Sequence, residues 1–424
     1  MVIYTVKKGD TLRKIASEFG ANLRSLREIN GIFGDMLSIG TNILIPTENG
    51  AHIVRRGDTL YSIALEYGAS LNELLRLNPK LTPPYTIIPG QYIIVPAAKK
   101  LKEIEVNGYC YPSIREDNLR KALPYLTYIS IFSYRLSPDG NLSGISDEKI
   151  IRIARENNVA PLLTITNTTS SGGFDSEVID AFLKSRTVTD AFIDGIPAFI
   201  KRKGYMGINI DFEYIPENDR ELYNDFLRRI SERFRAEGLI IMTAVAPKLS
   251  AEQRGRLYEA HDYPAHGEYM DRVIIMTYEW GYIGGPPMAV APVNEVEKVI
   301  RYAVKEIPSE KILMGMPNYA YDWMLPFKEG TNARILSLSA AQNLAFSTGA
   351  EITFNETAGA PFFTYREPSG REHIVWFDDA RSYKERLELI DEYNLGGVSF
   401  WTINNFWAPG FRVLEGLFNI KKLL

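Results

Sequence analysis

A chain of 424 residues with 45% hydrophobic and 24% charged residues has ordinary globular composition, and its length suggests about two to three domains. A formal net charge of -4 gives no basic bias toward nucleic acid, and the lone Cys110 excludes an intrachain disulfide framework and a cysteine-rich metal site. The longest apolar runs, such as LIIM (239–242) and VIIM (273–276), are far short of the roughly 20 residues that span a bilayer, so no membrane partner is expected.

The stretch MVIYTVKKGD lacks the apolar core and cleavage site of a signal peptide, so the chain as written is expected to stay off the general secretory route. A repeat then fills the first hundred residues: YTVKKGDTLRKIASEFGANLRSLREIN (4–30) is matched by HIVRRGDTLYSIALEYGASLNELLRLN (52–78). Gly9, Asp10, Thr11, Leu12, Ile15, Ala16, Gly20, Leu23, Leu26 and Asn30 return as Gly57, Asp58, Thr59, Leu60, Ile63, Ala64, Gly68, Leu71, Leu74 and Asn78. Each unit reads as a strand, a helix opened by Gly-Asp-Thr and closed by Gly20 or Gly68, a second helix, and a closing strand ILIP or IIVP. The order is βααβ, with the Gly-Asp-Thr side chains serving as turn and cap. These features together resemble LysM modules, which bind N-acetylglucosamine-containing glycans such as peptidoglycan and chitin. The resemblance implies modules at residues 1–47 and 50–97, with glycan contacts in the surrounding loops.

PAAKKLKE (96–103) reads as a solvated linker and sets a boundary near residue 100. Beyond it, the strand-like runs EIEVNGYC, YLTYISIF, APLLTITN, GINIDFEY, IIMTAVAP, RVIIMTYE, KILMGMPN and GGVSFWTI alternate with helical patterns. Eight such strands over residues 101–424 predict an α/β fold, a (β/α)8 TIM barrel. Leu222, Phe226, Ile230 and Phe234 recur every fourth residue before Gly238, which predicts an amphipathic crossover helix. Between the seventh and eighth strands, FFTYREPSGREHIVWF (362–377) reads as a hairpin in an inserted α+β lobe that walls the cleft.

In GINIDFEY (207–214), Ile208, Ile210 and Phe212 alternate with Asn209, Asp211 and Glu213, so one strand face carries an amide and two carboxylates. In a TIM barrel that face points inward, with Glu213 nearest the mouth. The candidate strands carry few basic residues centrally, so pairing with buried Arg or Lys is the lesser reading. The spacing resembles the strand-four signature of family 18 glycoside hydrolases, Asp-Gly-x-Asp-x-Asp-x-Glu. Gly207, Asp211 and Glu213 match it, while Met206 and Asn209 stand where that pattern has Asp. MTYEWG (276–281), MGMPNYAYDW and GGVSFW (396–401) resemble later strands of the same family.

This resemblance implies a substrate-assisted hydrolysis in which the acetamido group of the sugar is the nucleophile. Glu213 is then the general acid, its pKa raised from about 4.3 toward about 6 or 7 by partial burial and the neighbouring carboxylate. Asp211 orients the acetamido N–H, Tyr278 in the Met276-x-Tyr motif donates to the acetamido oxygen, and Trp401 floors the subsite. Asn209 cannot ionise, so Asp211 is expected to stay anionic more readily. His261 and His266 in HDYPAH lack the helical i, i+4 spacing of a zinc site, and Pro264 argues against a helix there. No metal or cofactor is expected.

Two LysM-like units ahead of such a barrel, with YEAHDYPAHGE and MTYEWGYIGGPP, are similar to the spore cortex-lytic N-acetylglucosaminidases of spore-forming bacteria. That likeness implies cleavage of the β-1,4 bond after N-acetylglucosamine in cortex peptidoglycan or its fragments during germination, by a monomer deposited on the spore from the mother cell. A location in the cytoplasm until lysis is the alternative. The competing activities are a chitinase, a phage-type wall lysin and a non-catalytic glycan-binding coat protein.

Overall fold

The computed structural model describes residues 1–32, 37–46, 49–97 and 99–424, so the expected module end at Thr47 and Ala98 of the linker lie outside the described residues. The first unit runs β1 (Val2–Thr5), helices Leu12–Phe19 and Leu23–Asn30, and β2 (Asn42–Ile45). The second runs β3 (Gly50–Ile53), helices Leu60–Glu66 and Leu71–Leu77, and β4 (Tyr92–Val95), and each strand pair is antiparallel.

The repeated polar residues hold these units together. Thr11 and Thr59 cap their helices by accepting from Lys14 N at 3.2 Å and Ser62 N at 3.0 Å. Asp10 and Asp58 accept from the backbone N–H of Lys7 and Arg55. Asn30 donates to Leu26 O and Leu44 O and accepts from Leu44 N, stitching the second helix to the closing strand. Asn78 repeats this with Leu74 O, Ile94 O and Ile94 N. Gly20 caps its helix as expected, whereas in the second unit Tyr67 is the cap and Gly68 follows at φ 62°.

The units dock on their neighbours. In the first, Leu44 joins the core of the large domain, and Ile39 O accepts from Ile352 N at 2.9 Å. Gly40 takes φ 83°, and a Cβ there would lie 1.9 Å from Ile352 O, so only glycine fits. The second unit leans on the first through Tyr92, whose ring lies 5.1 Å from that of Tyr4 and 5.5 Å from that of Phe19. The linker is less solvated than its charge suggests: Lys99 and Lys100 are exposed, but Lys102 Nζ donates to Leu395 O at 2.8 Å.

Eight parallel strands follow: β5 (Glu103–Cys110), β6 (Tyr128–Arg135), β7 (Ala160–Thr166), β8 (Gly207–Asp211), β9 (Ile240–Val245), β10 (Arg272–Ile275), β11 (Ile312–Pro317) and, later in the chain, β17 (Gly397–Trp401). After β11 the chain leaves the barrel to build β12 (Ala320–Leu325), β13 (Arg334–Leu336), β14 (Thr353–Asn355), β15 (Ala360–Arg366) and β16 (Glu372–Trp376). These form an antiparallel sheet in the order β13-β12-β16-β15-β14, with helix Leu338–Thr348. The β15–β16 hairpin is the one expected from the sequence. The chain then returns as β17 (Gly397–Trp401), which pairs with both β11 and β5 and closes the TIM barrel. The short β18 (Asn419–Ile420) adds to β5.

All eight expected barrel strands are present, but β8 stops at Asp211, leaving Glu213 past the end of the ladder. The crossover helix spans Arg220–Glu237 and ends at Gly238, yet Leu222 is 39% exposed and Tyr223 is buried instead. A strict four-residue step drifts off a 3.6-residue stripe, and the buried face follows Tyr223, Phe226, Leu227, Ile230 and Phe234. No helix among the described residues is long and apolar enough to cross a membrane.

At the floor of the barrel, Glu105 is buried and accepts from Arg272 Nη2 at 2.6 Å, Lys421 Nζ at 2.9 Å and Tyr128 Oη at 2.8 Å. This ties β5, β6 and β10 to the C-terminal tail. Removing Arg272 takes away the charge-assisted hydrogen bonds from its Nε and Nη2 and leaves the buried carboxylate only Lys421 and Tyr128. Arg272→Met is therefore expected to cost about 3 kcal/mol in chemical denaturation, and adding Glu105→Gln to recover part of it.

Candidate active site

Inward and outward faces alternate along β8 as its sequence pattern requires. Ile208, Ile210 and then Phe212 pack in the core facing the helices, while Asn209 and Asp211 point into the barrel. Asn209 Nδ2 donates to Tyr109 Oη at 2.8 Å and Ser130 Oγ at 3.1 Å. Ser130 Oγ donates to Asn107 Oδ1, and Asn107 Nδ2 to Ser399 Oγ, both at 2.9 Å. A chain of polar side chains thus crosses the interior from β8 through β6 and β5 to β17. Beside it, the buried acceptors Asn209 Oδ1, Asp211 Oδ1 and Thr164 Oγ1 have no hydrogen-bond partner among the described residues.

Asp211 is 3% exposed, and burial pushes its carboxyl up to about 7. Among the described residues no cation sits beside it to offset the desolvation. Glu213 is half-buried at the mouth, and its carboxyl is driven well above the ordinary range by burial first, then by the charges of Asp211 and Glu279. Both acids thus favour their neutral forms.

Met276, just past β10, joins the apolar cluster lining the barrel interior. Tyr278 follows, half-buried, and a Cβ at Gly315 would lie 2.9 Å from its Cε1, so the glycine of β11 makes room for its ring. Its phenol is pushed well above its ordinary range by burial first, then by the charges of Asp211 and Glu213. Trp401 ends β17, half-buried, with its ring 4.8 Å from Phe132, 5.1 Å from Tyr109 and 5.9 Å from Tyr111.

Several neighbours were not anticipated from the sequence. Tyr109, Tyr111 and Phe132 extend the aromatic wall around Trp401, and the aromatic clusters in YCY and IFSY are their only sequence signal. Glu279 accepts hydrogen bonds from the hydroxyls of Tyr319 and Tyr321, the latter at 3.0 Å. The alternation of Tyr319 and Tyr321 after an acid at 279 was a usable clue. His261 lies on the connection before a helix over Tyr263–Tyr269 and His266 within it, both buried; the helix forms because Pro264 sits in its first turn where no N–H is needed. Among the described residues no group of three or more His, Cys, Asp or Glu side chains is placed to hold a metal.

A buried acid with a raised pKa stabilises the fold fully below the ordinary aspartate range and loses that contribution as pH rises toward about 7. Asp211→Asn is therefore expected to raise Tm by a few degrees at pH 8, with the gain shrinking toward pH 4 in thermal scans.

Residues 105–405 match the model for glycosyl hydrolases family 18, and residues 4–46 and 52–96 each match the LysM domain. The chain is 43% identical over 430 residues to the cortical fragment-lytic enzyme of Bacillus subtilis (strain 168), covering 100% of this chain and 99% of that protein. The cortical fragment-lytic enzyme of Bacillus anthracis is 38% identical, with 99% of each chain covered. The crystal structure of the Bacillus megaterium QM B1551 spore cortex-lytic enzyme SleL superposes with a TM-score of 0.91 at 34% identity, covering 100% of this chain and 99% of that one. The Bacillus cereus enzyme SleL does so at 0.88 and 36%, covering 99% and 98%. With its barrel and both repeats matched along their length, this chain belongs to glycosyl hydrolases family 18.

Proposed function

We propose that this protein is a spore-associated N-acetylglucosaminidase that cleaves the β-1,4 bond after N-acetylglucosamine in cortex peptidoglycan, acting on cortex fragments. The observation that carries the reading is the end-to-end match to proteins named for lysis of cortical fragments, with barrel and both modules in the same order. The working units are assigned as modules 1–47 and 50–97, which hold glycan, and a hydrolase of residues 101–424 acting as a monomer.

Glu213, neutral at working pH, protonates the leaving oxygen and afterwards draws a proton from water. Asp211 accepts the acetamido N–H of the sugar and turns its carbonyl oxygen toward the anomeric carbon. Once ionised, it offsets the positive charge of the oxazolinium. Tyr278 donates to the acetamido oxygen, Trp401 supports the sugar ring, and Met276 and Asn209 shape the base of the subsite. The route needs an N-acetyl group on the donor sugar; muramic lactam has none, which favours N-acetylglucosamine.

Digests of cortex fragments, vegetative wall and chitin, read by product mass, are expected to give fragments ending in reducing N-acetylglucosamine, fastest from cortex. A preference for chitin would sink the cortex assignment. Glu213→Gln is expected to lower kcat by about 10²–10⁴ while glycan binding persists; equal turnover would rule out Glu213 as the acid. Asn209→Asp gives Asp211 a partner with which to share a proton, so the alkaline limb of the kcat/KM profile is expected to move upward.

A further inference from the structure

We infer that Asn167 and His261 are positioning residues for Glu213, their side chains taking over the backbone hydrogen bonding of Phe212 and Glu213 where β8 has run out of strand partners. The inference rests on the reading of Glu213 as the acid.

The last rungs of the ladder on β8 are Thr166↔Asp211 toward β7 and Ile210↔Thr243 toward β9. Glu213 lies two residues further on, and the chain swings away at Tyr214, which has φ 55°. On the β7 side, the fully buried Asn167 presents its amide as a strand edge would. Oδ1 accepts from Glu213 N at 3.0 Å, and Nδ2 donates to Glu213 O at 2.8 Å. The same Nδ2 donates to Asp175 O at 3.0 Å, while Asp175 N donates to Asn167 O, so the clamp is itself braced.

On the β9 side, His261 Nδ1 accepts from Ala246 N at 2.9 Å. The proton must then sit on Nε2, which donates to Phe212 O at 3.0 Å. Burial lowers this imidazole to about 4, so it stays a neutral donor of fixed orientation across the working range. The two peptide units flanking the proposed acid are thus gripped from both neighbouring strands. A displacement of about 1 Å at a reacting group costs on the order of a hundredfold in rate, which gives such a grip a direct kinetic consequence.

The test measures kcat and KM on cortex fragments for Asn167→Ala, Asn167→Asp, His261→Leu and His261→Gln, normalised to folded protein by circular dichroism, with Glu213→Gln alongside. Asn167→Ala and His261→Leu are expected to lower kcat at least about tenfold with KM within about threefold, and His261→Gln, which keeps a donor for Phe212 O, to recover most of it. Should Asn167→Ala not fold, Asn167→Asp keeps the shape and the acceptor but loses the donor to Glu213 O, and carries the same expectation. Wild-type kcat in the folded Asn167 and His261→Leu variants overturns the inference, as does failure of His261→Gln to rescue. If Glu213→Gln is itself fully active, the assignment of the acid falls instead, which keeps the two failures distinct.

Discussion

The constraint on which the rest depends is the placement of two carboxyl groups, Asp211 inside the closed barrel and Glu213 half-buried at its mouth, with no cation beside them among the described residues. Asp211 is kept there by geometry: β8 is paired on both sides, its outward residues are locked in apolar contacts, and Asp211 ends its inward face, with Glu213 two residues beyond. Burial then fixes their chemistry, because an uncompensated, desolvated carboxyl is driven toward its neutral form. A neutral acid at neutral pH is what glycosidic cleavage requires. The raised pKa and the barrel closure are therefore one fact seen at two scales.

That constraint spreads into the polar layer around the acids. Tyr109, Ser130, Asn107 and Ser399 are buried inside the barrel, yet each is engaged in a directional chain that begins at Asn209. The ion pairs at the floor lie on the far side of this layer, where Arg272 and Lys421 neutralise Glu105. Cations thus stabilise the carboxylate that serves architecture, while among the described residues none pairs with Asp211 or Glu213. The same residue type has opposite protonation preferences at the two ends of one barrel.

Much of this could be read in the sequence, because periodicity reports directly on which face a residue occupies. The repeat units, the eight strands, the inward set of β8 and the late hairpin all follow from local pattern and spacing. What escaped depends on contacts between distant segments. The role of Asn167 requires knowing that β7 and β8 are neighbours and that β8 ends two residues early, and neither is encoded near position 167. His261 was considered for a metal, yet its ring holds Phe212 O, 49 residues away in the chain. The raised pKa of Asp211 was not legible either, because the degree of burial that causes it is not written near position 211.

The modules extend the argument from the site to the whole chain. Their repeated Asp, Thr and Asn residues are fully occupied with caps, turns and helix-to-strand stitching, so what repeats most strongly is what holds the fold. The first module shares its core with the barrel and meets the inserted lobe through Ile39 and Gly40, and the second rests on the first through Tyr92. A glycan held on modules docked in this way sits at a set distance from the cleft rather than at the end of a flexible tether. The effective concentration of a module-bound glycan at the barrel is then governed by the docking contacts, Gly40 and Tyr92 among them.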